Sequence, residues 1–259
     1  MSFSMGALRQ DISLLRVLTV AQIKARYRKT VAGFLWVTLN PILTFGVQAS
    51  IFKHILKIDV ERYFLFLLSG ILPWTLVTST ITMTVSCFVT QRQILTAFSI
   101  KPQSLVLVQV IDNFINFLFA YLILLTFLAP AVFLNPWFVL CFAVSSAMLF
   151  LFTYASCLML ATLHTRFRDT QYVIQFLVSL AYFATPIFYP IEFMPAPLRS
   201  LMDFNVLYLI VRPFRSIIWD FDLAAYAHSL TTALAAILAV AIPTYFYWRG
   251  NREKLYFRI

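Results

Sequence analysis

The chain has 259 residues, 61% of them hydrophobic and only 12% charged, with a mean hydropathy of +0.85. A soluble domain is about half apolar and about a quarter charged, so composition excludes a soluble fold and indicates a polytopic membrane protein. The formal charge of +10 does not call for nucleic acid, because Lys and Arg accumulate on the cytoplasmic side of membrane spans.

No hydrophilic stretch is long enough for a second folded domain. No cleavable signal peptide is expected, since Arg9, Asp11 and Arg16 interrupt the N-terminus before any usable apolar core. Cys87, Cys141 and Cys157 lie in apolar runs without metal-ligand spacing, and read as small packing residues. No metal site is expected.

Residues Ala7 to Ala25 predict an amphipathic helix. Leu8, Ile12, Leu14, Leu15, Leu18, Ala21 and Ala25 gather on one side, while Asp11, Gln22 and Arg26 interrupt it. Such a helix lies in the membrane interface rather than crossing it. A basic knot follows, with four cations among the six residues Lys24 to Lys29 and none from Thr30 to Phe52. Cations at the mouth of an apolar segment stay cytoplasmic. The expected division is residues 1–30 as a cytoplasmic interfacial helix and 31–259 as the transmembrane domain.

Six spans are predicted, at about Val31–Phe52, Phe64–Val89, Leu105–Leu128, Trp137–Leu163, Tyr172–Tyr189 and Ala225–Trp248. Each is near the roughly 20 residues that a bilayer core requires. With both termini inside, fourteen of the 20 Lys and Arg fall on the inner side and six (Lys53, Lys57, Arg62, Arg199, Arg212, Arg215) on the outer. The bias agrees with the positive-inside rule. Pro73 and Pro243 lie within spans as candidate kinks.

Two connections are longer than turns. The inner loop 90–104 holds a partly apolar piece, Gln91 to Phe98, that predicts a short helix able to dock a partner. The outer region 190–222 is too apolar for a solvated loop, and five of the 11 prolines fall between 186 and 213. It predicts two short re-entrant helices, which are tolerated only against protein or a water-filled cavity.

Few residues carry chemistry. The five glycines build no phosphate-cradling loop, so any ATP belongs to another chain. His54 and Asp59 form H-x-x-x-x-D, an acid–base spacing on the outer side and without supporting motifs; chance is the simpler account. His164 and His228 lack ligand-spaced partners and read as interfacial.

Asp112, with Asn113 and Asn116, lies inside the third span. An intramembrane carboxylate is costly and by default a functional candidate. Its plainer role is an interhelical hydrogen bond or a cation partner. Tyr172, Phe176 and Phe183 recur at helical spacing with Gln175, Ser179 and Tyr182 nearby. Such a face suits a sugar path, and it equally suits core packing.

Taken together, these motifs resemble the membrane subunits of ABC-2 type exporters, in particular the permeases for O-antigen, capsular and teichoic-acid polymers. The resemblance rests on Arg26-Tyr27-Arg28-Lys29-Thr30-Val31-Ala32-Gly33-Phe34-Leu35-Trp36 followed by Pro41, on Arg168-Asp169, and on Thr185-Pro186-Ile187-Phe188-Tyr189. Asn205-Val206-Leu207 with Arg212 and Arg215 stands where that family typically has N-P-L followed by a basic segment, so one proline is missing. The match runs in order along nearly the whole chain.

The resemblance implies an all-α, six-span permease of the bacterial cytoplasmic (inner) membrane, with no catalysis of its own. Two copies form a homodimeric channel beside two ATP-hydrolysing subunits, which carry the ATP and Mg. A lipid-linked polysaccharide moves outward, as in lipopolysaccharide biosynthesis. By position, Arg92, Gln93, Ile94 and Leu95 match the segment that couples to the ATPase. Arg26, Tyr27 and Arg28 sit where a lipid pyrophosphate meets cations, and topology anchoring explains them equally well.

Exporters of drugs or small lipids share these motifs. A membrane-embedded sugar or acyl transferase is the remoter alternative, since it requires clustered acids or histidines at one face. A proton-coupled carrier requires more intramembrane acids or inverted repeats, and neither is present in the sequence.

Overall fold

The fold was analysed in a computed structural model, which describes residues 5–27, 35–55, 60–97, 100–128, 135–218 and 222–258. All regular structure among them is helical. The helices are α1 (Met5–Tyr27), α2 (Leu35–Ser50), α3 (Tyr63–Thr84), α4 (Cys87–Thr90), α5 (Arg92–Ala97), α6 (Pro102–Leu128), α7 (Pro136–Arg166), α8 (Thr170–Ala184), α9 (Ala196–Leu201), α10 (Val206–Ile218), α11 (Leu223–Asn251) and α12 (Leu255–Arg258). Four of them, α3, α6, α7 and α11, are long and apolar enough to cross a membrane. The chain is an all-α polytopic membrane protein.

Helix α3 is the centre of the bundle. Of its apolar stretch 78% is buried, against 28% for α11, which marks α11 as peripheral. Helices α6, α7 and α10 pack directly on α3, and α11 packs on α7 and α10. The lower half of α3 is rich in hydroxyls, yet it sits in the apolar interior. Most of these hydroxyls bond a carbonyl of their own helix, as Thr75 Oγ1 does to Ile71 O (2.7 Å) and Thr78 Oγ1 to Trp74 O (2.9 Å), while Thr84 Oγ1 is buried without a partner among the described residues. Back-bonding of this kind satisfies the polar group locally. Pro73 lies within α3 and Pro243 within α11, and both helices continue through them.

Two predicted spans differ from the observed helices. The span expected at Phe64–Val89 breaks after Thr84. Ser86 leaves helical geometry (φ −94°, ψ 1°) and its carbonyl accepts from Val89 and Thr90, starting α4. The span expected at Tyr172–Tyr189 begins at Thr170 and ends at Ala184. Pro186 excludes the residue before it from helical backbone, and Thr185 is accordingly extended (φ −93°, ψ 131°). The 15 residues of α8 rise only about 22 Å, short of the ~30 Å hydrocarbon core.

The two long connections both hold helices. The first contains α5, over residues 92–97 of the predicted 91–98. The second contains α9 and α10, with single 3₁₀ turns at Ile191–Phe193 and Met202–Phe204. Helix α10 buries Leu209, Ile210, Val211, Phe214, Ile217 and Ile218 against α3, α7 and α11. The 3₁₀ turn Ile191–Phe193 and α9 beside it contain no buried residue, so this part of the connection lies on the surface of the bundle.

Candidate functional site

Helix α1 is attached to the bundle by a polar contact. Among the described side chains of α1, those of Leu14, Leu15, Leu18, Thr19, Gln22, Ile23 and Arg26 are partly or fully buried, and Ala21 and Ala25 are exposed. The packed stripe therefore runs through Gln22 and Arg26, the residues that interrupt the predicted apolar side. Both reach α6. Arg26 Nη2 lies 2.8 Å from Asp112 Oδ2 and donates to Asn113 Oδ1 at 3.0 Å. Gln22 Nε2 donates to Asp112 Oδ2 at 3.4 Å.

The Asp112 side chain is fully buried, whereas a quarter of Arg26 is exposed (26%). Asp112 Oδ1 is buried without a hydrogen-bond partner among the described residues. Asn113 Nδ2 continues the chain of contacts to Met83 Sδ on α3 at 3.9 Å. Asn116 lies one turn beyond Asp112 and is half-buried. The structure thus joins two groups that the sequence lists separately, the basic knot and the intramembrane carboxylate. Arg28 lies outside the described residues, as does the side chain of Tyr27.

Helix α5 presents Arg92, Gln93 and Ile94 to the surface and inserts Leu95, fully buried, into the core. One apolar anchor holds a short helix whose remaining residues point outward. The C-terminal segment reaches the same end of the bundle, where Tyr256 Oη donates to Ile100 O at 3.3 Å and Leu255 is buried.

Helix α8 exposes the predicted aromatic face. Tyr172, Phe176, Ser179 and Phe183 are all exposed, with Phe183 the most open of them at 77%. Ser179 Oγ bonds Gln175 O of its own helix at 3.0 Å. Tyr182, on the other side, accepts from Gln48 Nε2 of α2 at 2.6 Å and packs on Trp74 and Phe188. The rings of the predicted face therefore do not enter the core, whereas Tyr182 does.

Beyond α8 the chain folds into a clasp. Thr185, Pro186 and Ile187 form a tight turn closed by Ile187 N to Thr185 O at 2.7 Å. Three elements hold it. Asn205 Nδ2 donates to Thr185 Oγ1 (2.9 Å), Arg215 Nη2 to Ile187 O (2.6 Å), and Tyr63 Oη to Phe188 O (2.8 Å). The amide oxygen of Asn205 also accepts from Leu207 N and Tyr208 N, both at 3.1 Å. It is the N-cap of α10.

Arg215 is buried and stacks over Phe66, its guanidinium carbon 4.3 Å from the ring centroid. A Cβ at Gly70 would fall 2.9 Å from Arg215 Nη2. Glycine there is what makes room for the cation. In the sequence Arg215 stands out as an outer charge and as part of a basic segment, and Gly70 and Tyr63 carry no signal of their role. The signal for Arg215 was its place in an apolar segment opposite a glycine-containing one, a pairing visible only in three dimensions.

His54 is exposed, and its Nδ1 lies 3.0 Å from Ser50 O of its own turn. Asp59 lies outside the described residues. No group of three or more His, Cys, Asp or Glu that could hold a metal occurs among the described residues.

The pattern of the ABC-2 type transporter family matches residues 13–219, which takes in the larger part of α1 and every helix from α2 to α10. The chain belongs to the ABC-2 type transporter family. It is a membrane permease, similar to the O-antigen export system permease protein RfbA of Myxococcus xanthus. The two are 29% identical over 245 residues, covering 94% of this chain and 92% of the relative. A Klebsiella pneumoniae O-antigen export system permease protein RfbA is 26% identical over 223 residues, covering 84% and 83%. The ABC-2 match takes in α1, α5, α8 and the clasp together, so these parts belong to one family unit.

Proposed function

We propose that this ABC-2 permease is the membrane-spanning subunit of an ATP-driven exporter that moves a lipid-linked, O-antigen-like polysaccharide out across the cytoplasmic membrane. The observation that carries this reading is similarity to an O-antigen export permease along 94% of the chain. In this reading α2 and α8 complete six spans with α3, α6, α7 and α11, both termini are cytoplasmic, and α9 and α10 are re-entrant. Two copies form the channel. Two nucleotide-binding subunits hold ATP and Mg, and this chain holds no cofactor.

The geometry supplies parts for such a machine. Helix α5 is a small knob with five outward residues and one buried anchor, suited to transmit a push without unfolding. Arg26 and Asp112 fix α1 to α6, so a force on either reaches the bundle. The exposed rings of Tyr172, Phe176 and Phe183 with Ser179 suit the sugar path, since rings stack on the apolar faces of pyranoses. Arg26, Tyr27 and Arg28 are the candidates for the pyrophosphate, with Arg26 sharing its charge between that ligand and Asp112.

The broader family match favours a second reading, export of drugs or small lipids, because the family is wider than its polysaccharide members. A membrane transferase built on His54 and Asp59 is the remoter reading. The deciding experiment measures ATP hydrolysis by the purified partner ATPase in lipid, with and without this chain, and with Arg92→Glu. The exporter reading requires binding and altered turnover, lost in the variant. It fails if the chain neither binds nor modulates a nucleotide-hydrolysing partner. Stimulation by an O-antigen-like glycan, and not by small lipids, then separates the first two readings.

A further inference from the structure

A cavity of about 260 Å³ lies between α3, the start of the α9 connection, α10 and α11. Its charged lining is Arg212, Arg215, Glu192 and Asp222. Arg212 and Arg215 are three residues apart on α10 and so share a face.

Arg215 is an unusual cation. Nine-tenths of it is buried, yet no carboxylate lies within ion-pair distance among the described residues. Of its five N–H donors, one is used, on the Ile187 carbonyl. Its Nε is buried without a partner. The Phe66 ring covers one face of the guanidinium. A buried cation left without a counter-charge is strongly unfavourable, and one ring and one carbonyl do not replace an anion.

The two acids of the cavity do not fill that role. Asp222 Oδ1 accepts from Ala224 N at 2.9 Å and caps α11. Glu192 is exposed, and Arg199 binds its backbone carbonyl rather than its carboxylate. The guanidinium fork of Arg215 is thus set deep, that of Arg212 is half-buried above it, and the acids stand at the rim. Planar forks of this kind match the oxygens of phosphate.

We propose that this cavity is a binding site for a phosphate-type oxyanion, held by Arg212 and Arg215, with Glu192 at the rim opposing its entry. The ligand is either a phospholipid headgroup or free phosphate, and the two share this chemistry.

The test uses the full-length protein and reads its thermal unfolding midpoint and ligand affinity. One arm adds inorganic phosphate to the protein in a non-ionic detergent. The other compares nanodiscs of phosphatidylglycerol with nanodiscs of an uncharged galactolipid. Arg212→Gln is half-buried and spares the clasp, so it should fold. Stabilisation by phosphate or by phosphatidylglycerol, about tenfold weaker affinity in Arg212→Gln, and tighter binding in Glu192→Gln support the site. The arm that responds identifies the source of the phosphate. The proposal is overturned if neither ligand shifts the wild-type midpoint. It is equally overturned if the shift is the same in wild type, Arg212→Gln and Glu192→Gln. No readout involves ATPase or transport, so its failure is separate from failure of the exporter reading.

Discussion

Arg26 and Asp112 are 86 positions apart in the chain, and their side chains meet at 2.8 Å. One is a quarter exposed and the other is fully buried, so the two ends of the pair are not equivalent. Removing Arg26 leaves a buried carboxylate without a counter-charge. Removing the charge of Asp112 leaves a cation that can turn to water.

Arg26→Met is therefore expected to destabilise the protein more than Asp112→Asn. Breaking a buried pair from one side costs about 3–5 kcal/mol, and Asp112→Asn should fall well below that. The double variant should recover part of the Arg26→Met loss. Unfolding midpoints of the four proteins in detergent form the cycle that checks this. Equal losses from the two single variants would contradict the burial asymmetry.

Gly70→Ala should destabilise the clasp. The added methyl falls 2.9 Å from Arg215 Nη2, and overpacking of this kind costs about 1–3 kcal/mol. Gly250→Ala is the matched control, because nothing lies within 4 Å of its Cβ position in α11. There the gain in helix propensity of about 1 kcal/mol should leave stability unchanged or raised. Both are read from the unfolding midpoint.

Asn205→Ala should weaken the start of α10, where a lost N-cap costs about 1 kcal/mol and the Thr185 contact goes with it. Val206→Pro, in contrast, should be accepted. Position 206 opens α10, where the N–H has no helical acceptor and proline is favoured. Asn205 already has extended backbone (φ −80°, ψ 95°), which suits the residue before a proline. Expression and thermal midpoint of both variants test the pair of expectations.

In α5 the anchor and the surface should separate. Leu95→Ala removes a fully buried side chain and should cost about 2–5 kcal/mol. Arg92→Glu and Ile94→Ala alter exposed residues and should leave the unfolding midpoint in place. On the exporter reading, those two change stimulation of the partner ATPase. A large stability loss in Arg92→Glu would mean that the residue holds the fold.

The class of the fold was legible in composition, since apolar runs of span length leave few alternatives. Helix ends were legible only where a local signal marks them. Pro186 did end α8, yet the apolar run through Ile187 and Phe188 carried the predicted span past it. Those residues are buried as part of the clasp, and apolar character alone does not separate a span from a packed turn. The break at Ser86 has no sequence signal of comparable strength.

For the site, Gln22 and Arg26 looked like flaws in an apolar stripe. They face a carboxylate on α6, and no single-helix periodicity contains that information. Asp112 was legible as costly, and its partner was not. The buried state of Arg215 was hidden because it depends on Gly70 and Phe66 of α3.

The turn at Thr185–Phe188 is gripped from Tyr63 on α3, Asn205 before α10 and Arg215 within it. It works as a keystone. The end of α8, the start of α3 and the whole of α10 are locked into one block, so they travel together or not at all. Any rearrangement that widens a path beside α8 must swing that block as a unit, and the bending must be taken up elsewhere, at places such as the break between α3 and α4.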